Sequence, residues 1–444
     1  MNISILGAGK IATAMATTLQ PLKGVTCYAV ASRNMNKAQV FADKYGFAKA
    51  YGSYTDMLDD PEVELVYIAT PHSHHYEHIK MCLEHNKHVL CEKAFTANAR
   101  QAEEVLRLAE EKGLLLTEAM WTRYMPMRQK IVDVINSGVI GTPTSLACNL
   151  GYSIEHVDRI TNPYLCGGAL LDLGVYVLNF AAMIFGNDIT AMTANCVKYK
   201  TGVDAQETIM LSYADGKMAS LYVTFLAQTD RRGFINGTNG YIEIENINNF
   251  ESIRVYNLER KVVAEYAAPT QVTGYEYEVQ SAIKAIENHE IECPEMTHYD
   301  TLLMMQLMDN IRAAWGIKYP YSVERTDDDP EEDPVITARR IEQEKRAEEA
   351  RKRKEEAEKR RAEAEKERQK NEDERLRIIE ERAKVAKEKA EKVAKDSSKE
   401  EKSSTEKDSS VEKTATKSGE DDKVESKSES KEEDVVKVKI NKMF

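Results

Sequence analysis

"NISILGAGKIATAM", residues 2–15, is the stretch on which the fold turns. A short apolar run of strand type ends at Leu6, passes through Gly7-Ala8-Gly9 and enters a helix-like run, "KIATAMATTLQ". The G-x-G-x-x-A pattern meets three physical requirements. Gly7 permits the tight turn, Gly9 lets backbone approach a pyrophosphate, and Ala12 allows close packing of helix on sheet. The amides opening the helix at Lys10 and Ile11, with its dipole, then face the anion. The pattern alone is weak evidence, but its place between strand and helix favours dinucleotide binding over a plain structural turn.

The same alternation runs outward from this loop. Strand candidates "VTCYAVAS" (25–32), "LVYIAT" (65–70), "HVLCEK" (88–93) and "LLLTEA" (114–119) are separated by helix candidates at 34–46, 74–86 and 98–113. Strands joined through single helices pair in parallel, so residues 1–120 read as an α/β Rossmann domain. From Trp121 the pattern changes. A helix at 127–138, a strand at 144–151 and a helical segment around "GGALLDLGVYVLNFAAMIFG" (167–186) precede six strand candidates between 190 and 267. Asp215-Gly216 and Asn239-Gly240 supply turn chemistry between neighbours. Residues 121–325 therefore read as an α+β domain with an open, mainly antiparallel sheet.

The rest of the chain is of another kind. After an acidic linker at 326–334, residues 335–396 repeat Lys, Arg and Glu with many pairs at helical spacing, which predicts a charged solvated helix. Its coiled-coil seam is mostly charged, so a coiled coil is the lesser alternative. The Ser/Lys/Glu-rich residues 397–444 read as a disordered tail. Its apolar end, "VVKVKINKMF" (435–444), alternates in a strand-like way and either docks on a protein partner or is an inert terminus.

The net charge of −13 argues against nucleic-acid binding. Seven cysteines scattered singly, with no metal-type spacing and no N-terminal leader pattern, suggest a reduced, cytoplasmic setting. No uninterrupted apolar run approaches the roughly 18 to 20 residues that cross a bilayer, so no membrane association and a soluble chain are expected.

At the end of the second strand, "VASRN" (30–34) offers Ser32 and Arg33 and no acid. An NAD site usually places an acid there for the ribose hydroxyl, whereas a 2′-phosphate needs positive charge and donors, so NADP is favoured over NAD. A merely solvated Arg33 is the alternative. "ATPHSHHYEH" (69–78) belongs to a segment holding six of the nine histidines. His74 and His78 share a helical face, yet no carboxylate or cysteine completes a metal shell, and none is expected. Thr70, Pro71 and His72 rather border the cofactor, because strand carboxyl ends meet the ligand crevice. By the same rule Glu92 and Lys93, which end a strand, emerge in that crevice, unless they form only a surface ion pair.

"GAGKIA", "CEKA" (91–94) and "GGALLDLGVY" (167–176) together resemble the glucose-fructose oxidoreductase and inositol dehydrogenase family. "TEAMWTRYMP" (117–126) and the Tyr176 that ends "DLGVY" are similar to its dimeric dihydrodiol dehydrogenase and NADP-dependent D-xylose dehydrogenase branch. The resemblance spans about residues 1 to 325. It implies NAD(P)-dependent transfer of hydride between nicotinamide and a sugar, polyol or cyclic diol hydroxyl, and a homodimer formed through the open sheet. It also implies that Lys93 and Tyr176 are the catalytic pair, that Asp172 orients substrate or lysine, and that Trp121 and Arg123 border the pocket. Tyr152, in "GYSIEHVDRITNPYL" (151–165), joins Lys93, Trp121, Asp172 and Tyr176 among the substrate residues.

Chemistry supports the pairing independently. Removing hydride from an alcohol requires a base for its hydroxyl proton. A free tyrosine, with pKa about 10, ionises little at neutrality, and an ammonium beside it favours phenolate. The family usually has proline where this chain has Ala94. Without it, the Lys93 backbone is either looser or reaches a cis bond unaided. Cys166 stands where another small residue is usual, as a buried thiol or a redox sensor. Two further functions stay open: a non-catalytic dinucleotide sensor on this fold, and a tethered enzyme whose tail docks on a partner.

Overall fold

The computed structural model describes residues 1–396, with side chains to Ala390, and the two-residue strand Lys437–Val438. Contacts divide the chain into one compact unit, Met1–Glu331 with Asp434–Phe444, and another, Glu332–Glu433.

The first sheet is β1 (Asn2–Leu6), β2 (Thr26–Ala31), β3 (Lys49–Tyr51), β4 (Leu65–Ile68), β5 (His88–Glu92) and β6 (Leu116–Ala119), in the order β3-β2-β1-β4-β5-β6. Every pair is parallel. Helices on both faces bury it, so β4 reads as an unbroken apolar run, Leu65-Val66-Tyr67-Ile68, with all four residues buried. The strand β3 was not foreseen, since three residues, "KAY", give no periodic signal. Strand order reverses between β1 and β4, which opens a crevice beyond their carboxyl ends. Asn34 and Asn98 cap the helices Met35–Tyr45 and Ala99–Lys112 by accepting from Lys37 N and Gln101 N, and left-handed Gly46 and Gly113 end them.

The second sheet comprises β7 (Pro143–Gly151), β8 (Ile189–Lys198), β9 (Asp204–Tyr213), β10 (Met218–Thr224), β11 (Gly233–Gly237), β12 (Gly240–Glu245), β13 (Ser252–Asn257), β14 (Val262–Ala267) and β15 (Lys437–Val438). Their order is β14-β13-β12-β11-β7-β10-β9-β8-β15, and only β7 with β10 is parallel. The hairpin between β11 and β12 turns on Thr238-Asn239, with Gly237 opposite Gly240, so Gly240 belongs to the strand rather than the turn. Across the inner face lies the helix Val175–Phe185, entered through a π-turn at Leu170–Gly174 and packed against β7 and β10. Gly168, at φ +131°, is required here because a Cβ would lie 2.4 Å from Asp204 Oδ1.

That helix corrects one expectation. Pro163–Phe185, 23 residues whose most apolar 18-residue window has a mean hydropathy of 1.8, is long and apolar enough by composition to cross a membrane, although Asp172 interrupts it. Its most apolar window is 83% buried inside the protein, so its apolarity is that of a core helix.

Contacts between the two sheets' helices hold the unit together. Asn98 Nδ2 donates to Glu324 O at 2.8 Å, Arg312 to Ala97 O at 3.0 Å, and His298 Nε2 meets Leu116 O at 2.9 Å. In the other unit, Pro334–Asp396 is one 63-residue helix whose described side chains are exposed apart from Thr337, which is half-buried. It carries pairs such as Arg346–Glu342 and Lys352–Glu348 at i,i+4. The expected tail 397–444 lies outside the described residues except for Lys437–Val438. Replacing Asn98 by Ala removes both the helix cap and the bond to Glu324, so urea denaturation is expected to show a loss of about 1 to 2 kcal/mol.

Candidate active site

Three strand exits and one helix build a cleft of about 500 Å3. Beyond β1, Gly7 sits at φ +105° with its N–H on Ala31 O at 2.9 Å, and a Cβ there would come within 3.0 Å of Ala69 O. Gly9 then opens the helix Lys10–Leu19 with no side-chain cap and no acid in the first turn, leaving its leading amides to an anion. Gly9, Lys10 and Ile11 line the cleft, as do Thr70, Pro71 and His72 beyond β4. Glu92 and Lys93 enter at the end of β5, facing Asp172 and Tyr176 from the π-turn and its helix. The Lys93–Ala94 peptide is cis.

Lys93 Nζ donates to Asp172 O at 2.8 Å and to Asp172 Oδ1 at 3.2 Å. Arg159 Nη1 donates to the same oxygen at 2.7 Å, and His72 Nε2 lies 4.0 Å from it. Burial pushes the Asp172 carboxyl up, but the charges of Lys93 and Arg159 outweigh it and hold the group below its ordinary range. Burial pulls His72 down to about 3, against the attraction of Asp172, so this imidazole is neutral near neutrality.

The Lys93 ammonium sits 4.8 Å from the centre of the Tyr176 ring, over its face. Tyr176 Oη accepts from Trp121 Nε1 at 3.2 Å, and Trp121 stacks on Tyr275 with ring centres 4.4 Å apart. Burial raises the Tyr176 phenol well above its usual value, and Tyr275, Glu92 and Asp172 add to the effect. The expected easing of ionisation by Lys93 is therefore not what the resting geometry gives: the ammonium meets the ring, and the hydroxyl stays protonated.

Other expected residues lie around the cleft or away from it. Gly7 and Ala12 support the loop from beneath, and Ala12 is fully buried. Ser32 Oγ accepts from Asn34 N at 3.3 Å, while Arg33 is exposed just past β2, within electrostatic reach of His74, His78 and Tyr54. Trp121 stands behind Tyr176. Arg123 is not brought to the cleft: its buried guanidinium binds Asn179 Oδ1 at 2.6 Å and Asp300 Oδ1 at 3.3 Å, which draw it to the helices of the second domain. Tyr152 is likewise turned aside, its hydroxyl held by Arg231 at 3.2 Å and by Asn248. Among the described residues no group of three or more His, Cys, Asp or Glu is placed to hold a metal. Cys166 is buried, and burial pushes its thiol up.

Three participants went unforeseen. Arg159 and Tyr275 reach the cleft from segments whose course sequence periodicity does not fix. His75 is buried, with Nδ1 at 2.9 Å from Ala94 O and Nε2 at 2.8 Å from Thr70 O, so it ties the exits of β4 and β5 together. The only signal for it was the histidine-rich run itself.

Behind the cleft, Glu92 accepts from Tyr67 Oη; burial, with the charge of Asp172, pushes it up against the pull of Lys93, and burial with the charge of Glu92 pushes Glu278 up. Neither oxygen of Glu278 has a hydrogen-bond partner. Glu118 is pushed up to about 7 by burial, against the charge of Arg123.

A model described as oxidoreductase family, NAD-binding Rossmann fold (GFO_IDH_MocA) matches residues 1–120, and the GFO/IDH/MocA C-terminal domain matches 128–243. The chain belongs to the GFO/IDH/MocA oxidoreductase family. It is 32% identical to trans-1,2-dihydrobenzene-1,2-diol dehydrogenase of Mus musculus over 327 residues, 71% of this chain and 97% of that protein. The Xenopus tropicalis enzyme of the same name is 32% identical over 324 residues, 71% of this chain and 98% of its own. KijD10, a 3-ketoreductase from Actinomadura kijaniata solved with NADP and TDP-benzene, shares the fold at a TM-score of 0.65 and 24% identity, covering 70% of this chain and 97% of that one. Aldose-aldose oxidoreductase from Caulobacter crescentus, with glycerol, gives 0.65 at 20% identity over 70% and 96%. As a GFO/IDH/MocA member the chain is an NAD(P)-dependent oxidoreductase acting on CH–OH groups.

The raised carboxyls have a consequence for stability. A group whose folded pKa exceeds its unfolded value of about 4.3 binds protons more tightly when folded, so stability falls as pH rises from about 4 to about 7. Glu278→Gln is expected to flatten that decline and to raise the melting temperature most on the alkaline side, as read by calorimetry across pH.

Proposed function

We propose that the chain reduces a ketone, or oxidises the matching secondary hydroxyl, of a sugar or cyclic diol, with NADP as cofactor and Tyr176 as the proton carrier. The observation that carries this reading is the convergence of Lys93, Asp172 and Tyr176 at the mouth of a glycine-loop cleft. The residues present fit a dinucleotide: an uncapped helix start beside Gly9, and a Gly7 turn too close to Ala69 for a side chain. A bound nicotinamide would supply or accept the hydride.

The chain's own residues manage the proton. A phenol held protonated at rest suits donation to the alkoxide oxygen that develops during reduction. Trp121 fixes the phenol oxygen by donating to it, which leaves the phenol's own proton free to be donated. Lys93, held by Asp172, stabilises negative charge on the substrate oxygen and, in the oxidative direction after a shift toward the phenol oxygen, on Tyr176 itself. Asp172 keeps the ammonium in place, and Arg159, bonded to the same carboxylate and lining the cleft, is a further donor for the substrate.

The preference for NADP is supported by an exposed Arg33 beyond β2 with no acid beside it. The substrate class is supported by the names of the mouse and frog relatives, which act on a cyclic diol. We infer a homodimer through the outer face of the second sheet, where Met210 and Met218 are exposed on adjacent strands, and a reduced cytoplasmic setting for its unpaired cysteines.

A panel of aldoses, inositols and cyclic diols, followed by nicotinamide absorbance with NADP and NAD, tests the reading. Tyr176→Phe is expected to lower kcat by about 10² to 10⁴-fold on the best substrate with little change in cofactor KM, and Lys93→Met to lower it comparably. Wild-type turnover in both variants contradicts the mechanism. Arg33→Ala is expected to raise KM for NADP about tenfold or more while leaving NAD unchanged; an unchanged preference contradicts the cofactor assignment.

A further inference from the structure

Glu92 lines the cleft with Lys93 and Tyr176, and it is buried there, accepting from Tyr67 Oη of β4. Within charge reach of both Glu92 and Tyr67 stands Glu278, in the first turn of the helix Glu276–Glu287. It is fully buried, and neither of its oxygens has a hydrogen-bond partner. The loop amides before this helix are already engaged, because Glu276 accepts from Val272 N at 2.6 Å, Thr273 N at 3.1 Å and Gly274 N at 2.7 Å.

Charge around the two carboxyls does not balance. Lys93 and Arg159 both bind Asp172 and both act on Glu92, so two cations face three acids, Asp172, Glu92 and Glu278. Glu118, on β6, is a further acid near Glu92, and it has Arg123 as its own counter-charge. The other titratable neighbours, Cys91, Tyr124, Tyr176 and Tyr275, have their protons held on by burial. Among the described residues the only charge acting on Glu278 is that of Glu92. A buried carboxyl without a counter-ion takes up a proton rather than stay ionised, so one proton remains on the pair at rest.

We propose that Glu92 and Glu278 form a charge-compensating pair for the nicotinamide ring, sharing one proton in the free and NADPH-bound protein and releasing it to solvent when NADP+ binds. The oxidised ring brings the positive charge that the cluster lacks, and the neutral reduced ring does not. Its place follows from the reaction. Hydride and proton leave one carbinol, so the ring and Tyr176 flank a single substrate, and Glu92, next to Lys93, lines the same cleft. Binding of the oxidised form is thereby tied to pH. A carboxyl that loses its proton on binding makes affinity rise with pH, from the ordinary carboxyl range toward neutrality, where burial has raised it. Acid then favours the reduced cofactor in the cleft. The inference rests on dinucleotide binding here and is independent of the role given to Tyr176.

Calorimetry of NADP+ and NADPH binding to the full chain, in two buffers of different ionisation enthalpy, counts the protons released. Comparing the two forms cancels titration of the dinucleotide's own phosphate. Near pH 6.5, NADP+ is expected to release about half a proton or more and NADPH less than about a tenth, with NADP+ affinity rising up to about tenfold per pH unit. Glu278→Gln, which removes the excess acid and keeps its shape, is expected to abolish the release while NADP+ still binds, whereas Tyr176→Phe is expected to keep it. Equal release for both cofactor forms overturns the proposal. So does release that survives in Glu278→Gln, or that vanishes in Tyr176→Phe and so comes from the phenol. Should Glu278→Gln not fold, the wild type decides, since a ratio of NADP+ to NADPH affinity that is flat with pH overturns the pair without any variant. If the cleft takes NAD instead, NAD+ and NADH give the same readout, which separates a failed cofactor assignment from a failed pair.

Discussion

The Asp172 carboxylate is buried among nitrogen-bearing side chains from separate parts of the chain: Lys93 from the end of β5, His72 from the exit of β4, and Arg159 from the short helix Asp158–Thr161 after β7. A carboxylate buried alone costs several kcal/mol, so its partners must be present for the ion to persist. Removing any one leaves the others incompletely matched, which couples the two sheets' contributions to the cleft through a single group. The π-turn at Leu170–Gly174 sets the carboxylate and Tyr176 on the same side of the chain, and the close approach of Gly168 to Asp204 fixes that turn on the sheet. Cleft geometry thus follows from how one helix is seated.

The same arrangement explains why Tyr176 rests protonated. Its ammonium neighbour already shares Asp172 and lies over the ring, where it meets the π-face rather than the oxygen. Around the hydroxyl are Tyr275 and the carboxyls of Glu92 and Asp172, each of which disfavours a phenolate. On the mechanism we propose, this sets the site for proton donation, and the oxidative direction requires Lys93 to shift toward the oxygen. Glu92 and Lys93, adjacent at the strand end, differ in their contacts: the lysine meets Asp172 in the cleft, whereas the glutamate accepts from Tyr67 and its charge raises the buried Glu278.

Residues whose position follows from periodicity were legible in the sequence. The loop at Gly7 to Ala12 and the ends of β4 and β5 follow from strand–helix alternation, and motif likeness added Asp172 and Tyr176. What escaped depends on long-range packing. Arg159 stands in the four-residue helix Asp158–Thr161, too short to give a periodic signal, and Tyr275 comes from a helix start more than a hundred residues beyond Trp121, on which it stacks. Arg123 and Tyr152 show the converse: their motif neighbourhood suggested the pocket, but acceptors on Asn179 and Asp300, and the pairing of Tyr152 with Arg231 and Asn248, hold them elsewhere. The three-residue β3 and the buried Glu278 had no local signature at all.

On the mechanism we propose, Asp172 holds Lys93 in the position from which it stabilises charge on the substrate oxygen. Steady-state kinetics of Asp172→Asn, with NADPH binding measured by fluorescence on the same samples, tests it most directly. The amide keeps the shape and removes the charge, so the account predicts cofactor affinity within a few-fold of wild type and kcat lower by about 100-fold. Wild-type kcat in Asp172→Asn with intact cofactor binding would contradict it.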